Sequence, residues 1–97
     1  MLTMVKVIKM CGQIKDISFD VDDIGMEKPY ISIIVEDFDG FDEDYSEIDR
    51  EVDWEQIHQL MQILKDNCLH YECEEYGADT YEFEDCEVGI SYASWDI

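Results

Sequence analysis

The sequence predicts an α+β fold, in which a small antiparallel sheet of four to five strands packs against one main amphipathic helix. Several short runs alternate apolar and polar residues, one longer segment has the apolar spacing of a helix, and Gly, Pro or Asp turn signals separate them. The chain has 97 residues, of which 46% are hydrophobic, so we expect a single folded domain over residues 1–97.

The first two elements are predicted to form an antiparallel hairpin. Residues 4–10, MVKVIKM, alternate as a strand does, and residues 11–13 offer a turn. A second alternating run then places Ile17, Phe19 and Val21 on one face and polar or acidic residues on the other. This pattern favours a sheet with one solvated side.

The middle of the chain contains the most apolar short run. Residues 22–29 carry the only proline and are predicted to be a loop, whereas residues 30–38, YISIIVEDF, are rich in β-branched residues and predict a well-buried central strand. Residues 41–52 are predicted to be a loop or a short helix. Their charge density is severe for a helix, yet four apolar residues recur at helical spacing: Phe41, Tyr45, Ile48 and Val52.

Residues 54–66 are predicted to form the main helix. Asp53 is a suitable N-cap, with Gln56 three residues later as in a capping box, and Asn67 is the expected C-cap. Apolar residues follow the i, i+3, i+4, i+7 spacing of one helical face: Ile57, Leu60, Met61 and Leu64.

The C-terminal part is predicted to form a second hairpin. Residues 69–76 and 80–92 flank a Gly-Ala-Asp turn. In the second segment the aromatic residues point one way and the acids the other: Tyr81 and Phe83 against Glu82 and Glu84. The alternation breaks at Asp85, and the later apolar residues continue in the opposite phase, which indicates a bulge or a separate strand.

Acidic residues dominate the charge. The formal net charge is -20, from 26 acids and six bases. Residues 36–53 hold ten acids and one Arg, residues 72–87 hold eight acids and no base, and three of the lysines lie in the first fifteen residues. Direct binding to nucleic acid or to an anionic membrane is therefore not expected, because both need basic groups. The predicted partner is a basic surface or a cation.

No catalytic residue, cofactor site or dedicated metal site is predicted. The chain lacks a G-x-S-x-G motif, a Gly-rich phosphate loop and an H-E-x-x-H motif. Four zinc-type side chains have no CxxC spacing, and the favoured explanation for them is buried free cysteines with a surface histidine: Cys68, His70, Cys73 and Cys86. No apolar signal segment precedes the cysteines, so we expect reduced thiols and a cytoplasmic location.

A calcium loop is not predicted either. Aspartates surround Gly40, but residue 35 is Val and residue 46 is Ser where an EF-hand loop needs Asp and Glu. Weak binding of divalent cations by dense carboxylates is the expectation.

The acids themselves are the best candidate for a binding surface. Alternate residues of a strand are about 6.6 Å apart, so Glu72 with Glu74, and Glu82 with Glu84, would form rows of negative charge resembling a phosphate backbone. Duplex DNA has roughly one charge per 1.7 Å, so twenty charges correspond to about 34 Å. A compact domain of this length has a diameter of about 30 Å. The charge densities are therefore similar.

The candidate partner-binding residues are the acids of these two segments: Asp37, Asp39, Asp42, Glu43, Asp44, Glu47, Glu72, Glu74, Glu75, Asp79, Glu82 and Glu84. Tyrosine and phenylalanine residues are interleaved with them, as in tight protein interfaces. The plainer interpretation is a solvated face that promotes solubility. The scarcity of interspersed bases argues against it, because ordinary surfaces mix both signs.

In length, in its two acid clusters and in its α+β pattern, the chain resembles the type I-F anti-CRISPR proteins of phages and prophages, a group that includes DNA mimics. The resemblance implies a non-enzymatic inhibitor that binds the RNA-guided Csy surveillance complex and occupies the basic channel in which its large subunit grips target DNA. It rests on no diagnostic motif, so no residue role is carried over. Two alternatives remain open: an immunity-type protein or antitoxin that inhibits one nuclease, and an acidic module that binds divalent cations.

Overall fold

Two helices and seven strands make up the computed structural model, which describes residues 2–23, 27–73 and 79–92. In chain order they are α1 (Met4–Gly12), β1 (Ile17–Asp22), β2 (Tyr30–Val35), β3 (Phe38–Phe41), β4 (Glu47–Asp49), α2 (Trp54–Asn67), β5 (His70–Glu72), β6 (Asp79–Glu82) and β7 (Glu87–Tyr92). The α+β class and a small sheet with a main amphipathic helix are confirmed.

Five strands form the main sheet, in the order β1-β2-β7-β6-β5. Its pairs are antiparallel except β2 with β7, which is parallel and aligns Tyr30 with Glu87 and Val35 with Tyr92. The prediction of a wholly antiparallel sheet is therefore wrong at this pair. The reason is topological, because a hairpin, α2 and two strands separate β2 from β7 and bring the chain back in the same direction.

The register divides the sheet into two faces. The inner face carries buried apolar side chains from the interior strands: Ile31, Ile33, Val35, Tyr81, Val88 and Ile90. The buried residues of both helices belong to the same apolar cluster, so α1 and α2 cover this face. We call the opposite side the outer face; it carries Ser18, Asp20, Asp22, Tyr30, Ser32, Ile34, His70, Glu72, Thr80, Glu82, Glu87, Gly89 and Ser91.

The first element is a helix, so the predictions of a strand over residues 4–10 and of a hairpin with β1 are wrong. Thr3 Oγ1 caps α1 by accepting a hydrogen bond from Lys6 N at 3.4 Å. The burial also has helical spacing, with Val7 and Cys11 buried and Met4 and Ile8 packed against the core. These four residues have the i, i+3, i+4, i+7 spacing of a helical face, but residues 4–10 also fit the alternation of a strand, and the prediction followed the alternation.

The main helix follows its prediction, with Asp53 Oδ1 accepting from Gln56 N at 3.2 Å. It includes Asn67 and its C-cap is Cys68, one residue later than predicted. The prediction of a loop or a short helix over residues 41–52 is wrong in part, because this range contains the end of β3 and all of β4. Their first part belongs to the β3–β4 hairpin, which we call the arm (residues 38–49).

The C-terminal hairpin is confirmed as β5 paired with β6. Its predicted turn falls partly on residues 77–78, which lie outside the described residues. β6 ends at Glu82, and a turn closed by Phe83 N donating to Cys86 O at 2.8 Å leads to β7. The break in alternation therefore marks a separate strand, which lies between β2 and β6 in the sheet.

Candidate interaction surface

The arm carries the densest group of exposed acids. Residues 41–49 are all exposed. At its tip, Asp42 Oδ1 accepts from Asp44 N at 2.9 Å and from Ser46 N at 3.0 Å. Tyr45 adopts a left-handed φ of 61° and is 88% exposed. Asp42 thus holds the loop in shape, while Glu43, Asp44 and the Tyr45 ring extend outward.

Aromatic rings and acids alternate along one side of the arm. Phe38 aligns with Asp49 and Phe41 with Glu47, and the register shift between the two phenylalanines brings all four side chains to one face. The two phenylalanine rings are in edge-to-face contact, with centroids 5.8 Å apart. Phe41 is nevertheless 56% exposed. This face therefore offers apolar contact area and negative charge together.

A second aromatic pair lies at the base of the arm. Tyr92 ends β7 beside Val35, from which the chain continues into the arm, and its ring is 5.9 Å from that of Trp54. Partial burial raises the pKa of Tyr92, and the charges of Asp79 and Asp37 add to the effect. The arm together with Trp54 and Tyr92 is called the arm end below.

Arg50 fastens the arm to the sheet. Its Nη1 donates to Glu36 Oε2 at 2.8 Å and lies 3.7 Å from Asp39 Oδ1, while its Nε lies 3.3 Å from Oδ1 of buried Asp16. The other oxygen of Asp16 accepts from Asp53 N at 3.0 Å. The Nε contact lacks hydrogen-bond geometry, so Asp16 Oδ1 is held there by charge alone. One guanidinium thus joins carboxylates from three parts of the chain.

The outer face carries the second acidic group. Register aligns Asp22, Tyr30, Glu87, Glu82 and His70 in one row across five strands. Glu82 and Glu87 are direct cross-strand neighbours, an unfavourable arrangement for like charges.

Lys28 relieves this repulsion on the outer face. Its Nζ lies 3.1 Å from Glu82 Oε2 and donates to Phe83 O at 2.9 Å, in a pocket that Glu27 and Glu87 also line. The Tyr30 side chain lies over Gly89, and a Cβ atom on residue 89 would overlap the Tyr30 hydroxyl. Lys28 therefore neutralises part of the negative charge in this row of acids.

The predicted contact residues do not form one surface. Five of the predicted residues lie on the arm and a sixth, Asp37, immediately precedes it; the five are Asp39, Asp42, Glu43, Asp44 and Glu47. Glu72 and Glu82 lie on the outer face, but Asp79 is on the inner face because it aligns with Ile90. Glu84 is in the turn after β6, so the predicted Glu82–Glu84 row is wrong. Glu74 and Glu75 lie outside the described residues.

Sequence reasoning missed part of the acidic surface. Asp20 and Asp22 project from the outer face, and a signal for them existed, since they alternate with the apolar residues of β1. Glu87 joins them because β7 pairs with β2, a contact that no local pattern reveals.

The zinc-type side chains are dispersed in the structure. Cys86 is buried in the core, Cys73 is exposed, and His70 lies on the outer face 3.1 Å from Glu72 Oε1. Over residues 2–23, 27–73 and 79–92, no group of three or more His, Cys, Asp or Glu side chains is arranged to hold a metal ion. Neither α1 nor α2, the helices of the described residues, has the length and apolar character needed to cross a bilayer.

Charge is segregated between the two layers. Four of the six bases are on or beside the helices: Lys6, Lys9, Lys15 and Lys65. The arm carries six and the outer face five of the 23 described acids, with Arg50 and Lys28 as their nearby cations. A basic partner would therefore be attracted to the arm and the outer face and repelled by α1.

Fold and surface together define a small α+β protein that presents an acidic, aromatic arm and an acidic sheet face. Comparisons with protein-family models, with curated proteins and with solved structures returned no match for the chain.

Proposed function

We propose that the protein is a non-enzymatic inhibitor that competes with DNA for a basic DNA-binding surface. The observation that supports this most is the placement of charge, since eleven of the 23 described acids lie on the arm and the outer face while four of the six bases lie on or beside the helices. Carboxylates there would meet the Arg and Lys groups that normally contact phosphate.

The proposed partner is the type I-F Csy surveillance complex, as the resemblance implies. In such RNA-guided complexes the protein grips the duplex backbone through basic groups while base pairing reads the sequence. An acidic body 46 Å long and 22–28 Å across, longer than the 30 Å expected from chain length, has the dimensions to occupy a duplex channel.

Displacement of labelled target duplex from the Csy complex, followed by fluorescence anisotropy, tests the proposal. We expect displacement whose apparent affinity falls steeply between about 50 and 300 mM NaCl, because screening weakens charge contacts. The variant Glu43→Lys/Asp44→Lys/Asp20→Lys/Glu72→Lys should lose it. Asp39 and Asp42 are left intact because they contact Arg50 and shape the tip loop. A folded variant that still displaces DNA like the parent protein would contradict the proposal.

An immunity-type inhibitor of a single nuclease is the second candidate. The exposed rings of Phe41 and Tyr45 favour it, because nuclease inhibitors of this type concentrate their affinity in a few aromatic and acidic residues. Tyr81 is buried in the core and is not available for such contacts. Inhibition of one purified nuclease, without displacement of DNA from the Csy complex, would support this candidate over the first.

A divalent-cation module is the third possibility. It predicts a higher melting temperature with micromolar Ca²⁺ or Zn²⁺, and an unchanged melting temperature would remove it.

A further inference from the structure

We infer that the arm end, rather than the outer face, is the principal docking surface, and that it is built for an arginine-lined groove of a protein partner. This deepens the proposed function and rests on it. The inference names the residues that make the contact and the side chain that they recognise.

The exposed aromatic rings lie in two neighbouring places, on the arm and at its base, where Trp54 contacts Tyr92. Among the described residues, the large aromatic side chains that are exposed number four, and all belong to the arm end: Phe41, Tyr45, Trp54 and Tyr92. The other exposed large apolar residues are aliphatic, and outside the arm they are dispersed over α1, α2, the sheet and its connections. Exposed aromatic clusters are typical of interaction sites, since leaving such area in water is unfavourable.

The acids beside these rings make the arm end complementary to guanidinium groups. Glu47 and Asp49 share a face with Phe38 and Phe41, and Asp44 precedes Tyr45. A guanidinium stacks on an aromatic ring while it donates a forked pair of hydrogen bonds to a carboxylate. A lysine ammonium has no planar group for stacking and is more strongly hydrated. Rings and carboxylates at one place therefore favour Arg over Lys.

The outer face lacks this combination. Its acids have Lys28 beside Glu82, and its one strongly apolar exposed side chain is Ile34, at 37%. Its aromatic residue, Tyr30, is half-buried and lies across Gly89. The outer face thus offers charge without fully exposed rings, and it would add long-range attraction rather than close contact.

Calorimetric binding of nona-arginine and nona-lysine peptides to the full chain tests the inference. We expect the arginine peptide to bind roughly tenfold more tightly, as two guanidinium–ring contacts of modest strength would give. The variant Phe41→Ser/Tyr45→Asn should remove most of this difference; asparagine tolerates the left-handed backbone at position 45.

The matched control is Val5→Ser/Leu69→Ser, which removes two exposed apolar side chains elsewhere, 58% and 65% exposed, without changing the charge. It should bind both peptides as the parent protein does. Equal affinity of the parent protein for the two peptides, or an unchanged preference in the arm variant, would overturn the inference.

A second pair of variants separates this inference from the proposed function. Glu43→Gln/Asp44→Asn and Asp20→Asn/Glu72→Gln each remove two exposed charges, from the arm and from the outer face respectively. In the DNA-displacement assay the arm pair should weaken inhibition at least fivefold more than the outer-face pair. A larger loss from the outer-face pair would overturn the assignment to the arm and leave the charge-competition mechanism standing. Absence of displacement by the parent protein would instead contradict the proposed function, whatever the peptides show.

Discussion

At the scale of single residues, Arg50 is the position on which the arrangement of acids depends. Its guanidinium contacts Asp16, Glu36 and Asp39, and Asp16 is only 2% exposed. A buried carboxylate is costly unless a cation and hydrogen bonds accompany it. Arg50 therefore stabilises the fold and, by its contact with Asp39, also fixes where the arm leaves the sheet.

Replacing Arg50 should destabilise the protein strongly. We expect Arg50→Met to lower the free energy of unfolding by about 3–5 kcal/mol, because it leaves Asp16 buried without its counter-charge. In an Asp16→Asn background the same substitution should cost clearly less. Urea unfolding of the four proteins measures this coupling, and an equal cost in both backgrounds would contradict the role given to the pair.

The buried thiols give a pH prediction at the same scale. Burial, assisted by the Asp85 charge, raises the pKa of Cys86 from about 9 to about 12. The protonated thiol is favoured in the folded state, so its contribution is complete below pH 9 and is lost as the pH rises from 9 towards 12.

Urea unfolding between pH 8 and 10.5 measures this loss of stability. Cys86→Ala should reduce the downward slope by up to about 1.4 kcal/mol per pH unit. Cys73→Ser, at an exposed thiol, is the control and should keep the parent slope. An unchanged slope in Cys86→Ala would show that Cys86 does not titrate differently on folding.

Local contacts could be predicted from the sequence at this scale, and distant ones could not. The cap formed by Asp53 and Gln56 spans three residues, so the sequence alone identifies it. The contact of Arg50 with Asp16 joins residues 34 positions apart, and nothing in the neighbourhood of either residue indicates it.

At the scale of elements, α1 shows how tertiary structure decides an ambiguous segment. Its Val and Ile residues favour a strand, yet it is a helix. The backbone N–H of its first residue, Met4, is capped by Asp85 from the turn between β6 and β7. Met4 N donates to both carboxylate oxygens of Asp85, at 3.2 and 3.1 Å. Residues 54–67 were predictable because their apolar stripe is longer and begins with a local cap.

Removing the distant cap should destabilise α1. We expect Asp85→Ala to cost about 0.5–2 kcal/mol, since it removes both a hydrogen-bond acceptor and a negative charge at a helix N-terminus. Glu84→Ala removes the same charge from the neighbouring position and should cost much less. Chemical unfolding, with helix content followed by circular dichroism, compares the two, and equal losses would contradict the capping role.

At the scale of the whole molecule, the -20 charge works against the compact state. Cations offset this charge at few places in the described structure, chiefly at Arg50 and Lys28, and about half of the described acids lie on the arm and the outer face. The sequence showed the amount of charge and its two segments. It could not show that the segments fold onto different surfaces, because that follows from the pairing of β7 with β2 and β6.

Salt should therefore stabilise the protein. Raising NaCl from about 20 to 500 mM should increase the melting temperature by about 4–8 °C, which corresponds to relief of roughly 1 kcal/mol of repulsion in a domain of this size. Differential scanning calorimetry measures the shift. A melting temperature that stays constant or falls would mean that ion pairs outweigh the repulsion.

The position of β7 also has a consequence for synthesis on the ribosome. This strand lies between β2 and β6, yet it is the last strand of the sheet in chain order, so the middle of the sheet is the last part of the sheet to be made. Until it emerges, the nascent chain holds β2 without one neighbour and leaves Ile31 and Ile33 incompletely covered. The sheet cannot close until β7 has been made, and such late, non-local pairing is slow and prone to aggregation. A high negative charge keeps the waiting chains apart.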